Sequence, residues 1–252
     1  MAGYGGFAWY YDRLTRNVDY PARAAYFDRL IRQWAKRPPE LLLDLACGTG
    51  SLSLELDRLG YDVIGADGSN EMLSVAIEKK YDAQADIMFL CQDMDKLDLY
   101  GTIDATVCAL DSLNHITDPG TVQKVFDRVS LFTAPGGVFI FDVNTLYKHR
   151  EVLANNTFVY DYDDLFCVWQ NSCEDGVTVD ISLDIFAREE GEERYERYSE
   201  AFAERAYSHE EILGFLRSSG LELLAVYGDD TMEPPGETTQ RAIYVALQPN
   251  PR

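Results

Sequence analysis

Two glycines lie where a predicted strand meets a predicted helix, in the segment Asp44-Leu45-Ala46-Cys47-Gly48-Thr49-Gly50. The apolar run 41–45 has the length of a buried strand, and residues 51–59 have helical periodicity. Glycine lets the backbone approach a ligand closely and turn its amide groups toward it. The segment therefore predicts a loop that binds a nucleotide-like ligand at the first strand-to-helix turn of a Rossmann-like sheet.

Two features of this loop argue against a dinucleotide. Ser53 stands where the third glycine of a GxGxxG motif would be, and Asp44 ends the strand just before the turn. A carboxylate at that point would repel pyrophosphate, whereas it would favour the ammonium group of a methionine moiety. The loop therefore favours S-adenosylmethionine (SAM) over a nicotinamide cofactor.

Acidic residues also follow the next two predicted strands. Asp67 comes 19 residues after Gly48, which is the spacing of an acid that accepts hydrogen bonds from ribose hydroxyls. Asp93 is placed to accept a hydrogen bond from an adenine amino group, while Met94 packs on the ring. The alternatives are that Asp67 caps a helix and that Asp93 caps a helix or a turn.

Taken in order, these segments resemble the motifs of class I SAM-dependent methyltransferases over about residues 8–247. Residues 43–50, Asp67 and 92–94 carry the resemblance, together with Pro135-Gly136-Gly137. It implies that the chain binds SAM, releases S-adenosylhomocysteine and needs no metal. Ala46 stands where many members have glycine. The resemblance also places further residues at the cofactor: Ala46, Cys47, Gly48, Gly50, Gly68, Ser69, Met72 and Gln92.

A narrower resemblance is to a bacterial small-molecule branch that includes the amino-sugar N-methyltransferases. It rests on Tyr10-Tyr11-Asp12, on Asp19-Tyr20 and on Leu110-Asp111-Ser112-Leu113-Asn114-His115. It implies that Tyr11 and Tyr20 close over the methionine end of SAM and that Arg23 binds the SAM carboxylate. As an alternative, the tyrosines between positions 4 and 26 form the aromatic core stripe of a helix.

Apolar runs of strand length alternate with helical segments from about residue 20 to residue 145, which predicts an α/β fold with a doubly wound, Rossmann-like sheet. A terminal hairpin of 221–227 and 242–247 completes seven strands and is similar to the antiparallel seventh strand of these methyltransferases. The predicted parallel strands are 41–45, 62–66, 87–91, 105–110 and 138–143, and the predicted helices are 51–59, 70–80 and 119–132.

Residues 157–207 alternate between polar and apolar, which predicts a small inserted antiparallel sheet with a polar turn at 188–193. We therefore predict one SAM-binding domain, formed by 1–156 and 208–252, and an inserted cap, 157–207, over the acceptor site. The aromatic side chains of the insert suit an amine or aromatic acceptor, or they form the core of the sheet itself. These are Phe158, Tyr160, Tyr162, Phe166 and Trp169.

Methyl transfer from a sulfonium is an in-line displacement, so a base is needed only if the acceptor must lose a proton. Leu110 ends the predicted fourth strand, and Asp111 and Ser112 follow it at the edge where the methyl group should lie, so we predict that these three residues bind the cofactor. His115 has an ordinary pKa suited to a base, and Asn144 is placed to orient an acceptor amine or hydroxyl. The alternative for His115 is a packing or hydrogen-bonding role.

The chain is strongly acidic, with 43 acidic and 22 basic residues and a formal net charge of −21. This disfavours nucleic acids and anionic membranes as partners. The sequence has no apolar run of about 20 residues and no signal-like N-terminus. We expect a cytoplasmic monomer or homodimer that methylates an N or O nucleophile of a small molecule. The alternatives are a protein or tRNA methyltransferase, and a SAM-binding protein without transfer activity.

Overall fold

Two β-sheets organise the chain in a computed structural model, which describes residues 7–188 and 194–249. One sheet has seven strands and the other has four. Most of the predicted polar turn at 188–193 lies outside the described residues, and so does the N-terminal segment 1–6.

The seven-stranded sheet confirms the predicted α/β fold. Its strands are β1 (Leu41–Leu45), β2 (Asp62–Asp67), β3 (Ile87–Cys91), β4 (Ile103–Cys108), β5 (Thr133–Asn144), β10 (Glu222–Gly228) and β11 (Arg241–Leu247). They are arranged in the order β10-β11-β5-β4-β1-β2-β3, and β11 runs antiparallel to both of its neighbours. β5 begins five residues before the predicted 138, because the segment Pro135-Gly136-Gly137 lies within the strand. The carboxyl ends of β1, β2, β4 and β5 consequently meet at one edge.

The described ranges contain six α-helices: α1 (Phe7–Leu14), α2 (Tyr20–Trp34), α3 (Ser51–Arg58), α4 (Asn70–Ala83), α5 (Pro119–Phe132) and α6 (His209–Ser219). The helices α2 to α6 pack on the seven-stranded sheet, and α1 contacts α4. Side-chain caps begin four of the helices, since Asp19, Ser69, Asp118 and Ser208 each accept a hydrogen bond from a first-turn amide. No helix in these ranges is long and apolar enough to cross a membrane.

Alternate residues of β1 face opposite sides of the sheet. Leu42 packs in a cluster with α2 and α3, and Leu43 packs in a cluster with α5 and α6. Both leucines are fully buried, as expected of a strand that is covered by helices on its two faces.

The inserted segment forms a four-stranded antiparallel sheet, as predicted. Its strands are β6 (Thr157–Asp161), β7 (Leu165–Ser172), β8 (Thr178–Ala187) and β9 (Glu196–Arg205), paired in that order. One face of this sheet packs against Phe7 and Tyr10 of α1 and Met72 of α4. The sheet therefore holds α1 against α4, at the edge where the glycine loop lies.

The predicted aromatic side chains of the insert are mostly part of this packing. Phe158, Tyr160, Tyr162 and Trp169 pack against the buried side chains of their own sheet. Phe166 contacts the ring of Phe186. This arrangement favours the alternative that these aromatics form the core of the insert.

Candidate active site

The glycine loop takes a left-handed backbone at three positions, Ala46 (φ 61°), Gly48 (φ 55°) and Gly50 (φ 73°). For a residue with a Cβ this conformation costs roughly 1–2 kcal/mol, which explains why glycine suits position 46 in similar sequences. At Gly48 no atom lies within 4 Å of the place that a Cβ would occupy. The loop therefore turns an open stretch of backbone toward the carboxyl edge of the sheet.

Asp67, at the end of β2, fastens this loop to the start of α4. Its carboxylate accepts hydrogen bonds from the backbone amides of Gly48 (2.8 Å) and Ser69 (2.9 Å). The cap of α4 is Ser69, whose hydroxyl accepts from the amide of Met72. Since Ser69 caps the helix, the structure argues against the helix-cap alternative for Asp67, and its role toward the ribose remains a prediction.

Asp44 lies under the loop and is 2% exposed. The Ser53 hydroxyl donates a hydrogen bond of 2.5 Å to its carboxylate. Burial raises the pKa of Asp44 to about 7, with a further contribution from the nearby Asp67. A buried carboxyl that ionises near neutral pH is well suited to bind an ammonium group, because the cation restores its charged form.

We expect the affinity for SAM to increase as the pH rises from about 6 to about 7, because Asp44 must release its proton to pair with the SAM ammonium. Since burial raises its pKa above the ordinary value, Asp44 stabilises the folded protein less as the pH rises toward 7. Calorimetry in two buffers with different heats of ionisation should detect the proton release. An Asp44→Asn variant that releases as many protons on binding SAM would contradict this origin.

A cavity of about 40 Å³ separates the glycine loop from α1, α2 and the loop after β4. The predicted cofactor residues that line it are Tyr11, Tyr20, Asp44, Ala46, Cys47, Gly48, Leu110 and Ser112. Four further residues, which were not predicted as ligands, also line it: Thr49, Ser51, Leu52 and Ala109. The structure thus brings together predicted residues from four separate segments of the chain.

The tyrosines of α1 and α2 divide between two environments. Tyr11 and Tyr20 line the cavity, and burial raises the pKa of both phenols. Tyr10 and Tyr26 are buried members of two different hydrophobic clusters, and Tyr11 and Tyr20 also pack against these clusters. The structure therefore supports the core-stripe alternative for Tyr10 and Tyr26, and the roles of Tyr11 and Tyr20 toward SAM remain predictions.

A polar bridge fastens α1 over the glycine loop. The carboxylate of Asp12 accepts a hydrogen bond from the Thr49 hydroxyl (2.7 Å) and forms an ion pair with Lys79 of α4. The Lys79 ammonium also donates to the hydroxyls of Thr49 (3.1 Å) and Ser51 (2.7 Å). Three elements, α1, the loop and α4, are joined at this point.

The predicted adenine side lies along the ends of β2 and β3. The Asp93 carboxylate is close to Gly68, where an added Cβ would lie 2.9 Å from Oδ1. Asp93 pairs with Lys96 at 2.7 Å and makes no side-chain cap to the short helix Met94–Lys96, which argues against its capping alternative. The side-chain amide of Gln92 is bound to the backbone of Asp98, and the backbone amide of Gln92 donates to the carbonyl oxygen of Asp67 (2.9 Å). The roles of these residues toward adenine remain predictions.

Asp142, at the end of β5, is fully buried and holds the loop after β4. Its carboxylate accepts hydrogen bonds from the backbone amides of Leu110 (2.9 Å) and Asp111 (2.6 Å). Both of these residues have left-handed backbones, with φ of 57° and 54°. Consecutive left-handed residues that are not glycine need support from their surroundings, and Asp142 provides it.

Two arginines neutralise this buried carboxylate. Arg241, from the terminal hairpin, pairs with Asp142 and Asp111 at 2.5 Å each. Arg23 pairs with Asp142 (3.2 Å) and with Asp230 (2.9 Å). The guanidinium of Arg23 is thus engaged by two carboxylates, and its assignment to the SAM carboxylate stays a prediction.

His115 and Glu204 meet beside this loop, at the expected acceptor side. His115 Nε2 lies 3.6 Å from Glu204 Oε1, and the imidazole packs against the ring of Phe202 at 5.1 Å. Burial lowers the pKa of His115, although Asp111 and Asp67 oppose this effect. A neutral imidazole that is one-third exposed at its side chain can accept a proton.

Asn144 positions the groups around Glu204. Its amide nitrogen donates to Glu204 Oε2 (3.3 Å), and its amide oxygen accepts from the Lys148 ammonium (2.8 Å). Both ends of the amide therefore bind protein side chains, which favours a positioning role over direct contact with an acceptor. Glu204, Lys148 and Arg241 were not predicted, because no local motif marks them.

Asp111, His115 and Glu204 have atoms within 4.8 Å of one another and are close enough to hold a cation. Arg241 already binds Asp111, and the charge of Lys148 also acts on both carboxyl groups. Burial raises the pKa of Asp111, but Arg241, Lys148 and His115 outweigh it and lower that pKa overall. These positive charges disfavour a divalent ion here.

Comparison with known proteins gives the same assignment as the geometry. A methyltransferase domain family matches residues 42–137. The crystal structure of a SAM-dependent methyltransferase from Clostridium acetobutylicum is 35% identical, with a TM-score of 0.89 over 98% of this chain and 99% of that one. The Bacillus subtilis protein YqeM, which bears the name of a methyltransferase, is 33% identical over 96% of each chain.

The fold is shared more widely. The sugar N-methyltransferase KedS8 from a Streptoalloteichus species is 21% identical, with a TM-score of 0.76 over 95% of this chain and 93% of that one. From these similarities and the site, the chain belongs to the class I SAM-dependent methyltransferases. It is an enzyme of that class, and SAM is its cofactor.

Proposed function

We propose that this methyltransferase transfers the methyl group of SAM to an N or O nucleophile of a small molecule. The proposal depends on one observation: the part of the site that is predicted to bind SAM, the donor half, is continuous with the part that is predicted to bind the acceptor, the acceptor half. The cavity beside the glycine loop is lined by Leu110 and Ser112, which belong to the loop after β4. That loop leads to His115, which lies 3.6 Å from Glu204 of β9. The donor half thus adjoins the acceptor half, which contains titratable side chains.

The residues of the donor half fit SAM. Asp44 is a buried carboxyl that an ammonium group would stabilise, and Asp67 lies where ribose hydroxyls can donate to it. Tyr11 and Tyr20 line the cavity. When bound there, SAM supplies an electrophilic methyl carbon attached to a sulfonium.

The residues of the acceptor half orient the molecule to be methylated and supply a side chain that can take its proton. Displacement at the methyl carbon requires the nucleophile in line with the carbon–sulfur bond, so most of the rate is expected to come from orientation. His115 is the residue that we expect to take the proton of the acceptor, because its pKa is lowered and part of its ring is exposed. Asn144 holds Glu204 and Lys148 in place around it.

The inserted sheet supports the proposed cap over the acceptor site. Its last strand, β9, carries both Phe202 and Glu204, which contact His115. The strong acidity of the chain supports a small acceptor over an RNA. KedS8, which shares the fold, is a sugar N-methyltransferase, and this similarity is in keeping with an amine acceptor.

Two measurements test the proposal in sequence. Calorimetric titration should show binding of SAM and of S-adenosylhomocysteine. Protein incubated with methyl-labelled SAM and a cell extract should then place label in the small-molecule fraction, and an Asp67→Ala variant should place far less. Label found only in protein or tRNA would refute a small-molecule acceptor, and SAM binding without any transfer would refute the enzyme activity on such acceptors.

A further inference from the structure

The ammonium group of Lys79, on α4, is surrounded by three hydrogen-bond acceptors. It donates to the hydroxyls of Thr49 (3.1 Å) and Ser51 (2.7 Å) and forms an ion pair with the carboxylate of Asp12. A lysine ammonium has three N–H donors, so these partners use all of them. Lys79 therefore has no donor left for direct contact with a ligand, but it sets the direction of the two hydroxyl groups.

The proton of the Ser51 hydroxyl is only weakly bound within the protein. Because the oxygens of Thr49 and Ser51 accept from Lys79, each hydroxyl must direct its own proton to another group. The Thr49 hydroxyl donates to Asp12 Oδ1 at 2.7 Å, which is the usual length of such a bond. The Ser51 hydroxyl lies 3.4 Å from the same oxygen, which is long for a bond between two oxygens. Its proton is therefore available to a stronger acceptor.

Ser51 lines the cavity beside the glycine loop, together with Asp44 and Tyr20. The Tyr20 hydroxyl is also weakly bonded, because its acceptor, the hydroxyl of Thr15, lies 3.4 Å away. The cavity thus combines a buried carboxyl group with two hydroxyls that can donate. The amino-acid end of SAM offers the complementary groups, an ammonium for Asp44 and a carboxylate that accepts from hydroxyls.

The guanidinium of Arg23, which the family resemblance assigns to the SAM carboxylate, is engaged by two carboxylates of the protein, Asp142 and Asp230. Within the described ranges, Arg23 is also not among the residues that line the cavity. Lys79, by contrast, donates to two residues that do line it, Thr49 and Ser51. The positive charge of Lys79 is therefore separated from the cavity by a single hydroxyl group.

We propose that the Ser51 hydroxyl, polarised by Lys79, donates a hydrogen bond to the carboxylate of the methionine moiety of SAM. Lys79 acts through Ser51 and is a positioning residue. Its charge strengthens the hydroxyl as a donor, and Ser51 is also the first residue of α3, where the helix dipole favours an anion. The contact concerns the cofactor alone, so it is independent of the acceptor. S-adenosylhomocysteine has the same carboxylate and makes the same contact.

The test compares S-adenosylhomocysteine with its decarboxylated analogue, S-adenosyl-3-thiopropylamine, which keeps the amine and the nucleoside. Calorimetric titration of the full chain gives the Kd of each ligand, and the Kd of the analogue divided by that of S-adenosylhomocysteine is the carboxylate ratio. Ser51→Ala should lower this ratio about 10-fold, the loss of one hydrogen bond to a charged group. It should change the Kd of the analogue by less than about 2-fold, because the missing contact is to the carboxylate. Lys79→Met keeps the hydroxyl but removes the charge, so it should lower the ratio about 3-fold. Any loosening of α1 in this variant weakens both ligands and cancels in the ratio.

Ser74→Ala is the matched control, because Ser74 is exposed on α4 and its hydroxyl binds the carbonyl oxygen of Asn70 in the same helix. It should leave the Kd of both ligands unchanged. Ser51→Thr keeps a hydroxyl and should retain most of the carboxylate ratio. If Ser51→Ala fails to fold, Lys79→Met decides the test. A parental ratio in folded Ser51→Ala or in Lys79→Met would overturn the proposal, even if both ligands bind more weakly. An Arg23→Gln variant that alone abolishes the ratio would assign the carboxylate to Arg23 instead.

Discussion

Replacing Asp67 with alanine is expected to raise the Kd for SAM by roughly 100-fold. The carboxylate holds the glycine loop through the amide of Gly48, and we predict that it also accepts hydrogen bonds from both ribose hydroxyls. Hydrogen bonds to a charged group contribute about 1.5–3 kcal/mol each, and at the lower end of this range two of them correspond to about two orders of magnitude in affinity. Calorimetric titration of the variant with SAM and with S-adenosylhomocysteine measures the loss.

Asp62→Ala is the control for this prediction. Asp62 begins the same strand that Asp67 ends, and it is exposed at the opposite edge of the sheet. The Asp62→Ala variant should bind SAM with the same affinity as the parent protein. An Asp67→Ala protein with parental stability and parental affinity would remove Asp67 from the cofactor site. Urea unfolding of both variants separates a weakened site from a weakened fold.

Replacing Asp142 with alanine is expected to lower the free energy of unfolding by about 3–5 kcal/mol, the usual loss when one partner of a buried ion pair is removed. Asp142 is fully buried, pairs with Arg23 and Arg241, and binds two backbone amides in the left-handed turn after β4. Without it, Arg241 retains only Asp111 as a charged partner among the residues that the structure describes. Chemical unfolding followed by tryptophan fluorescence measures the change.

Asp184→Ala gives the comparison at the surface. Asp184 pairs with Arg197 at 2.7 Å, and the arginine side chain is 60% exposed. Exposed ion pairs contribute about 0–1 kcal/mol, so this variant should lose little stability. A loss below about 1 kcal/mol for Asp142→Ala would mean that water solvates the two arginines once the carboxylate is gone.

The fold and the site could be predicted from the sequence where a short residue pattern reflects a physical requirement of the structure. The positions of β1, β2 and β3 follow from short apolar runs, and the position of Asp67 follows from its distance along the chain to Gly48. Period-2 alternation predicted the inserted sheet for the same reason. In these cases the interacting groups are separated by one strand and one helix at most.

The acceptor half depends on contacts that no local pattern encodes. Asn144 and Glu204 are 60 residues apart, and Arg241 and Asp111 are 130 apart. Alternation in β9 indicates which residues share a face, but not that Glu204 reaches β5 and the loop after β4. The aromatic residues of the insert form a more distinctive sequence pattern than Glu204 does, yet most of them pack within their own sheet.

The bridge of Asp12, Thr49 and Lys79 has a consequence for the order of events in a catalytic cycle. Asp12 joins α1 to the glycine loop and to Lys79 of α4, and Tyr11 of the same helix lines the cavity. We expect SAM to enter, and S-adenosylhomocysteine to leave, when α1 moves away from the loop. Exchange of the cofactor would then be coupled to the breaking of these contacts.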